Sequence, residues 1–412
     1  MKTYTYEKSK ALFERAVEVI PCGIYGHFSP APLIPPEHYP FYAEKASGAR
    51  FTDVDGNEFV DYMCAYGPMV LGYNCEPVDQ AARAQYDQGN CLSAPSPVMV
   101  ELAEKLVETI AAADWAFFAK NGNDVTTYAV MVARKATGRK KIILIKGGYH
   151  GVAPWTQTYG HHGIIEEDAR HFIRIPWNDV AALEEVIRRY PDDIAGFMAT
   201  PYHHPTFADN ELPAEGYWQQ VEALCRKNGI VLMVDDIRCG FRLDIRGSHR
   251  YFGFTPDLVC FCKAMANGYP ISALVGREAL KNEAAKVFYT GSYWFSAAPM
   301  AAALATIEEL QRVDAVAAML SYGESLRDGL VAAAGKHGFN LKVTGHPSMP
   351  YLRLTDDPSL MLHQKWCAEC TRRGAFFTSH HNWFVSAAHT DQDLELTLQI
   401  ADEAFAAVAA ST

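Results

Sequence analysis

The chain predicts an α/β protein, built on a mostly parallel sheet with helices on both faces. Three observations lead there. From about residue 97 to residue 275, short apolar runs alternate with helical stretches. Two of those runs, 230–234 and 258–262, are apolar throughout, as suits strands buried on both faces. Composition agrees: 49% hydrophobic and 21% charged residues in a chain of 412 leave no reason to expect disorder and allow a large core.

The elements follow in order. Ser9 to Ile20 reads as an opening helix. The stretch PCGIYGHFSPAPLIPPEHYP, ending at Pro40, holds too many prolines for regular structure and must lie along a surface. FTDVDGNEFVDY (51–62) reads as a hairpin turning at Asp55-Gly56. Helices are expected at 98–110, with Leu102, Leu106 and Ile110 on one face, and at 122–137, 180–189 and 216–228. Strands are expected at 116–119, 141–145, 171–175, 194–199, 230–234, 258–262 and 272–275. Beyond Pro299 the chain reads as helical through about His337. Short strands at 341–343 and 351–354 follow, then a last helix, 391–410. Ala301 to Leu330 reads as a helix linking to a smaller C-terminal domain. The expected division is therefore 1–60, an N-terminal segment packing with the small domain, 61–300, a large domain, and 301–412, the small domain.

Net charge is −11, which argues against nucleic acid and anionic membrane surfaces as partners. No apolar segment follows the polar stretch Met1 to Lys10, and no apolar run reaches membrane-spanning length, so the expected location is cytoplasmic. Ten cysteines are then expected to be reduced. Cys367 and Cys370 form a C-x-x-C in a helical context, LHQKWCAECTRRG, without a second pair at metal-ligand spacing, so no metal is expected.

The chemistry concentrates in IVLMVDDIRCGFRLDIRGSHRYFGFTPDLVCFCKAMANGYPISALVGR, 230–277. One strand ends in Asp235-Asp236, and the next ends in Lys263. In an open α/β sheet that edge is where ligands bind. An acid and an amine there suit pyridoxal phosphate (PLP): lysine forms a Schiff base with its aldehyde, and a carboxylate keeps its pyridine nitrogen protonated. The same stretch taken alone also fits Asp235 or Asp236 as a helix cap and Lys263 as a solvated strand end.

Two further stretches point to the same edge. In Phe118-Ala119-Lys120-Asn121-Gly122-Asn123-Asp124 a strand turns into a helix start, whose free N–H groups bind anions. Gly122 allows close approach of a phosphate, and Asn123 offers a side-chain donor. Gly147-Gly148-Tyr149-His150-Gly151 follows another strand and places an aromatic ring where it can stack on a pyridine ring. Ile237 would face the same way as Asp235 and support the other ring face.

With these motifs in this order, the chain resembles the class III aminotransferases, of the fold-type I PLP family, and within them the glutamate-1-semialdehyde aminomutase branch. The likeness runs from Asp53-Val54-Asp55-Gly56-Asn57 to Ser386-Ala387-Ala388-His389-Thr390. It implies that Lys263 is the Schiff-base lysine, that Asp235 meets the pyridine nitrogen and Ile237 the ring, and that Gly122, Asn123, Tyr149 and His150 hold the cofactor. It also implies a homodimer with shared active sites, acting on a small-molecule amine donor and a carbonyl acceptor.

The chain departs from that branch where the substrate is chosen. No arginine lies between Arg15 and Arg50, where the branch carries one for a substrate carboxylate. His381 stands for a family glutamate, and Thr200-Pro201 for Glu-Pro. In 294–299 the threonine that caps the neighbouring subunit's phosphate is missing, which leaves Ser292 or Thr290 to replace it. Tyr25, His27, Phe28, Trp155, His381 and Trp383 are the expected substrate pocket, suited to a less acidic and partly apolar substrate. Transamination is the expected reaction. Amine transfer within one molecule, epimerisation, and PLP binding without catalysis are the alternatives.

Overall fold

A computed structural model describes residues 4–24 and 42–411. The chain forms two compact units: residues 1–75, 206–210 and 317–412 make one, and 76–205 and 211–316 the other. These limits fall later than the 60 and 300 read from the sequence. The helix Ala297–Arg312 belongs with the larger unit, because it packs on the helices Glu76–Gln88 and Val98–Thr109.

The larger unit is built on a seven-stranded sheet. In chain order its strands are β1 (Trp115–Ala119), β2 (Lys141–Ile145), β3 (Phe172–Ile175), β4 (Ile194–Ala199), β5 (Val231–Asp235), β6 (Leu258–Phe261) and β7 (Ser272–Gly276). In space the order is β1-β7-β6-β5-β4-β2-β3. Only β7 runs against the rest, antiparallel to both β1 and β6. β4 to β7 are buried at every position, which explains their unbroken apolar runs. The helix Gly122–Thr137 lays Val125, Ala129, Val132 and Ala133 against this sheet, among Leu144, Met198, Met233 and Leu274. Its C-terminus closes on Gly138 in the left-handed region, and Arg134 and Lys135 sit in the last turn.

In the smaller unit, Ala43–Ser47, Arg50–Asp53, Glu58–Asp61 and Ala375–Phe376 form one sheet, and Leu341–Thr344 pairs with Tyr351–Leu354. The hairpin turn is held by Asp53, whose carboxylate accepts from the N–H groups of Asp55 (3.0 Å) and Asn57 (2.8 Å). Asp55 in turn accepts from the N–H groups of Lys8 and Ser9, placing a carboxylate at the positive end of the helix Glu7–Val17. The core of this unit is aromatic. Trp366 stacks on Phe405 at 4.6 Å and Phe377 on Trp383 at 3.9 Å, with Tyr62 hydrogen-bonded to Tyr322 and Thr397 behind them.

The long helix expected from 301 to 330 is in fact two, ending at Arg312 and restarting at Ala315. Asp314 adopts φ +48° between them, which a continuous helix forbids. The helix Glu76–Gln88 and the strand Ala43–Ser47 are additions to the elements expected. Four of the strand's five positions are exposed, so it shows no apolar period, and the helix has only two buried residues. The proline-rich stretch lies mostly outside the described residues. Among those described, no helix is long and apolar enough to cross a membrane, and no group of side chains could hold a metal ion. All ten cysteines are free thiols; Cys367 and Cys370 are buried on the helix Met361–Thr371.

Trp366 has no exposed surface, so truncation removes a large buried side chain and leaves a cavity. Trp366→Ala is expected to cost about 3–5 kcal/mol. The urea midpoint followed by near-ultraviolet circular dichroism should fall accordingly; an unchanged midpoint contradicts this packing.

Candidate active site

Because β1, β2, β4, β5 and β6 run the same way, the residues that follow them emerge along one edge of the sheet. That edge collects Gly122, Tyr149, His150, His203, His204, Asp235 and Lys263.

Asp235 is the last residue of β5 and is buried. Its Oδ2 lies 2.7 Å from His150 Nδ1, and both side chains are almost wholly enclosed. Its Oδ1 accepts from the N–H of Ile237 at 3.2 Å. His150 is itself steadied from the neighbouring helix, since its carbonyl accepts from Thr126 Oγ1 at 2.8 Å. Asp236 turns elsewhere. Its carboxylate accepts from Ser248 N–H (2.8 Å) and Oγ (2.6 Å), at the start of the short helix Ser248–Phe252. Burial pushes its carboxyl up to about 7, against the two Ser248 bonds. Of the adjacent aspartates, then, the second caps a helix and the first is free for the site.

Lys263 comes two residues after β6 and begins a single 3-10 turn. Its φ is +43°, a left-handed value that costs a non-glycine residue about 1 kcal/mol or more. It keeps some exposed surface, yet the protein around its amine is dense. Burial pushes that amine down to about 7; the Arg238 cation acts in the same direction, as does Arg242, while Cys262 and Asp235 oppose.

The helix Gly122–Thr137 opens toward the same edge. Asp124 accepts from the N–H groups of Asn121 (2.8 Å) and Lys120 (3.2 Å), closing one half of a capping box. The N–H groups of Gly122 and Asn123, next in line, donate to no other group among the described residues. A Cβ on Gly122 would stand 2.6 Å from Ile237 Cδ1, so a larger residue there requires that side chain to shift. The Asn123 side chain reaches the loop after His150. Its Oδ1 accepts from Val152 N–H (2.9 Å) and Ala153 N–H (2.8 Å), tying down the loop after His150. Gly151, at φ +120°, presses against that side chain so closely that a Cβ would lie 2.3 Å from Oδ1. Tyr149 leaves 48% of its surface open.

The remaining expectations separate. Ser292 is exposed, and its carbonyl accepts from Cys91 Sγ at 3.6 Å. Trp155 stacks on Phe172 at 5.0 Å, donates to Thr127 Oγ1 and, partly buried, packs on the main core. Trp383 and His381 belong to the smaller unit and are buried. The indole donates to the Thr378 carbonyl at 2.8 Å, and His381 Nδ1 lies 2.7 Å from the Asn382 carbonyl. Tyr25, His27 and Phe28 lie outside the described residues.

Sequence reading overlooks Arg238 and His204. Arg238 follows Asp235 by three positions, is buried, and points Nη1 at His204 Nδ1, 3.0 Å away. The available signal is an arginine inside an otherwise apolar motif, in VDDIRCGF.

This donor set fits pyridoxal phosphate: free helix N–H groups for phosphate, a buried carboxylate, an exposed ring and a lysine of lowered basicity. Comparison with known proteins agrees. The sequence profile of the family "Aminotransferase class-III" matches residues 34–394. An aminopentol aminotransferase of Sphingopyxis macrogoltabida is 42% identical over 97% of this chain and 94% of its own. A 3-aminobutyryl-CoA aminotransferase of Cloacimonas acidaminovorans is 34% identical over 97% of each chain. The glutamate-1-semialdehyde 2,1-aminomutase of Methanococcoides burtonii is 32% identical over 96% and 98%. Among solved structures, the PLP internal aldimine form of the FumI protein of Sphingopyxis sp. MTA144 matches with a TM-score of 0.95 at 42% identity, covering 98% of this chain and 96% of the other. The chain belongs to the class III aminotransferases and is a pyridoxal-phosphate-dependent enzyme that moves an amino group from a small-molecule amine to a carbonyl acceptor.

Proposed function

We propose that Lys263 is the lysine that holds the cofactor and moves the proton, and that the amine donor is a primary amine such as an aminopentol. The observation that carries the roles is the placement of Lys263 one strand away from the His150–Asp235 pair, at the end of β6 beside β5. When bound, pyridoxal phosphate supplies an aldehyde that takes up the amino group and a ring that accepts electrons. The chain's residues do the rest. Gly122 and Asn123 N–H groups hold the phosphate at the helix N-terminus. Asp235, oriented by His150, faces the ring nitrogen. Tyr149 and Ile237 would hold the ring. The Lys263 amine, of lowered basicity, accepts a proton from the substrate carbon and returns it.

The donor proposal rests on two supports: the 42% identity with an aminopentol aminotransferase, and the missing arginine between Arg15 and Arg50. Mixing the enzyme with a panel of amino alcohols, simple amines and α-amino acids, and following the cofactor's absorbance, tests it. Amino alcohols should react fastest; a preference for α-amino acids overturns the donor assignment.

A homodimer is also proposed. Tyr86, Leu92, Phe288 and Tyr293 are 53%, 40%, 88% and 66% exposed, and the Cys91–Ser292 contact brings 91–92 beside 292–293. A second copy of the chain would cover exposed apolar side chains of this kind. Light scattering should give twice 45.7 kDa, and a fully active monomer would rule the dimer out.

Borohydride reduction should fix the cofactor covalently in the native enzyme and not in Lys263→Ala. Covalent cofactor in the variant would assign the wrong lysine. Asp235→Asn should keep the cofactor, with turnover lower by on the order of 10²-fold or more. Undiminished turnover removes Asp235 from its role.

A further inference from the structure

The loop that carries Tyr149 and His150 is folded on itself and fastened to one helix. Within the loop, the Gly151 carbonyl accepts from Thr156 Oγ1 (2.9 Å) and Gln157 Nε2 (3.3 Å). Three residues of the helix Gly122–Thr137 hold it from outside. Thr126 Oγ1 donates to the His150 carbonyl at 2.8 Å, with the Asn123 carbonyl a longer alternative at 3.2 Å. Asn123 Oδ1 accepts from Val152 N–H and Ala153 N–H, at 2.9 and 2.8 Å. Further along, Trp155 Nε1 donates to Thr127 Oγ1 at 3.1 Å. Asn123 and Thr126 stand three positions apart, so they share a helix face and grip the loop on either side of Gly151. His150 depends on that grip. Its ring is bonded to Asp235 through Nδ1, and its buried Nε2 has no hydrogen-bond partner among the described residues. One bond does not fix an imidazole, so the backbone on both sides of Gly151 must do it.

We infer that the Asn123 side chain is a positioning residue for the ring end of the cofactor, acting through its acceptor oxygen on the loop and not as a donor to the phosphate. A carbonyl oxygen has two lone pairs, and two N–H groups already occupy those of Oδ1. What an asparagine adds here is therefore a fixed loop. Residues 122–126, little more than one helical turn, then serve both ends of the cofactor. The backbone N–H groups of Gly122 and Asn123 take the phosphate, while the Asn123 and Thr126 side chains set the loop that aims His150 at Asp235. Gly151 completes the fit, since a Cβ there would stand 2.3 Å from Asn123 Oδ1. This inference rests on the reading of Tyr149, His150 and Asp235 as the ring site and deepens it.

The test separates the two ends of the cofactor. Pyridoxal, which has the ring and aldehyde but no phosphate, is titrated into the full-length enzyme after the cofactor has been removed, and binding is read by quenching of protein fluorescence. Asn123→Ala should weaken pyridoxal about tenfold, the effect of losing one or two hydrogen bonds. Asn123→Asp keeps an oxygen for both N–H groups, and its charge meets no phosphate in pyridoxal, so affinity should return to within about twofold of the native value. Near-ultraviolet circular dichroism should be unchanged in both variants. Thr126→Val, which removes the hydroxyl and keeps the shape, should also weaken pyridoxal, and it decides the matter if Asn123→Ala does not fold. Pyridoxal affinity that survives the loss of the clamp in a folded variant overturns the inference, as does an Asn123→Asp enzyme no better than Asn123→Ala. Failure of the underlying ring-site reading looks different, since Asp235→Asn would then leave turnover undiminished.

Discussion

A carboxylate buried at the end of a central strand is costly unless something holds it, and the active edge of this protein is organised around meeting that cost for Asp235. His150 supplies the partner at 2.7 Å, and it can do so only because its loop is fastened twice. Thr126 grips the His150 carbonyl, and Asn123 grips the two N–H groups that follow Gly151. Both fasteners come from the first two turns of one helix, whose start also presents free N–H groups. One helix terminus therefore steadies the carboxylate's partner while keeping N–H groups of its own uncommitted. Removing an interaction from such a set leaves a buried polar group unpaired, which costs more than the bond itself gains.

The electrostatics divide along similar lines. Asp235 and Asp236 are neighbours in sequence and both buried, yet one turns to the site and the other to the Ser248 backbone. This is the strand's two-residue period at work, since successive side chains point to opposite faces. Around Lys263 the balance is set first by burial and then by Arg238, which together lower the basicity of its amine.

How much of this is legible in the sequence follows from physics. Strands buried on both faces announce themselves as apolar runs, and β4, β5 and β6 are bounded from sequence to within a residue or two. The helix Gly122–Thr137 is readable from its period and its Asn-Gly start. Lys263 and Asp235 can be read because charge at the end of such a run is conspicuous. The strand Ala43–Ser47, mostly exposed, carries no period to read. The split of the long helix at Asp314 is a local backbone choice that periodicity does not register. Substrate residues carry no such signal. Trp155 and Trp383 are large aromatics, and packing on a core and lining a pocket wall leave the same mark on a sequence. Arg238 and His204 lie 34 positions apart, and only the sheet edge makes them partners.

The sheet order has a consequence for how the site comes into being. β1, which leads into the helix that presents Gly122, is an edge strand, and its neighbour in the sheet is β7. Ala119 thus waits for Ser272 before its backbone finds a pairing partner. Contacts so far apart in sequence form late, because a long loop must close first. On the ribosome, the strand that leads into the helix Gly122–Thr137 cannot be paired until the chain has been made past β7, by which time Asp235 and Lys263 have already emerged. The sheet edge that carries Gly122, Asp235 and Lys263 is therefore assembled only once most of the large unit has been synthesised, and a chain that stops before β7 cannot assemble it.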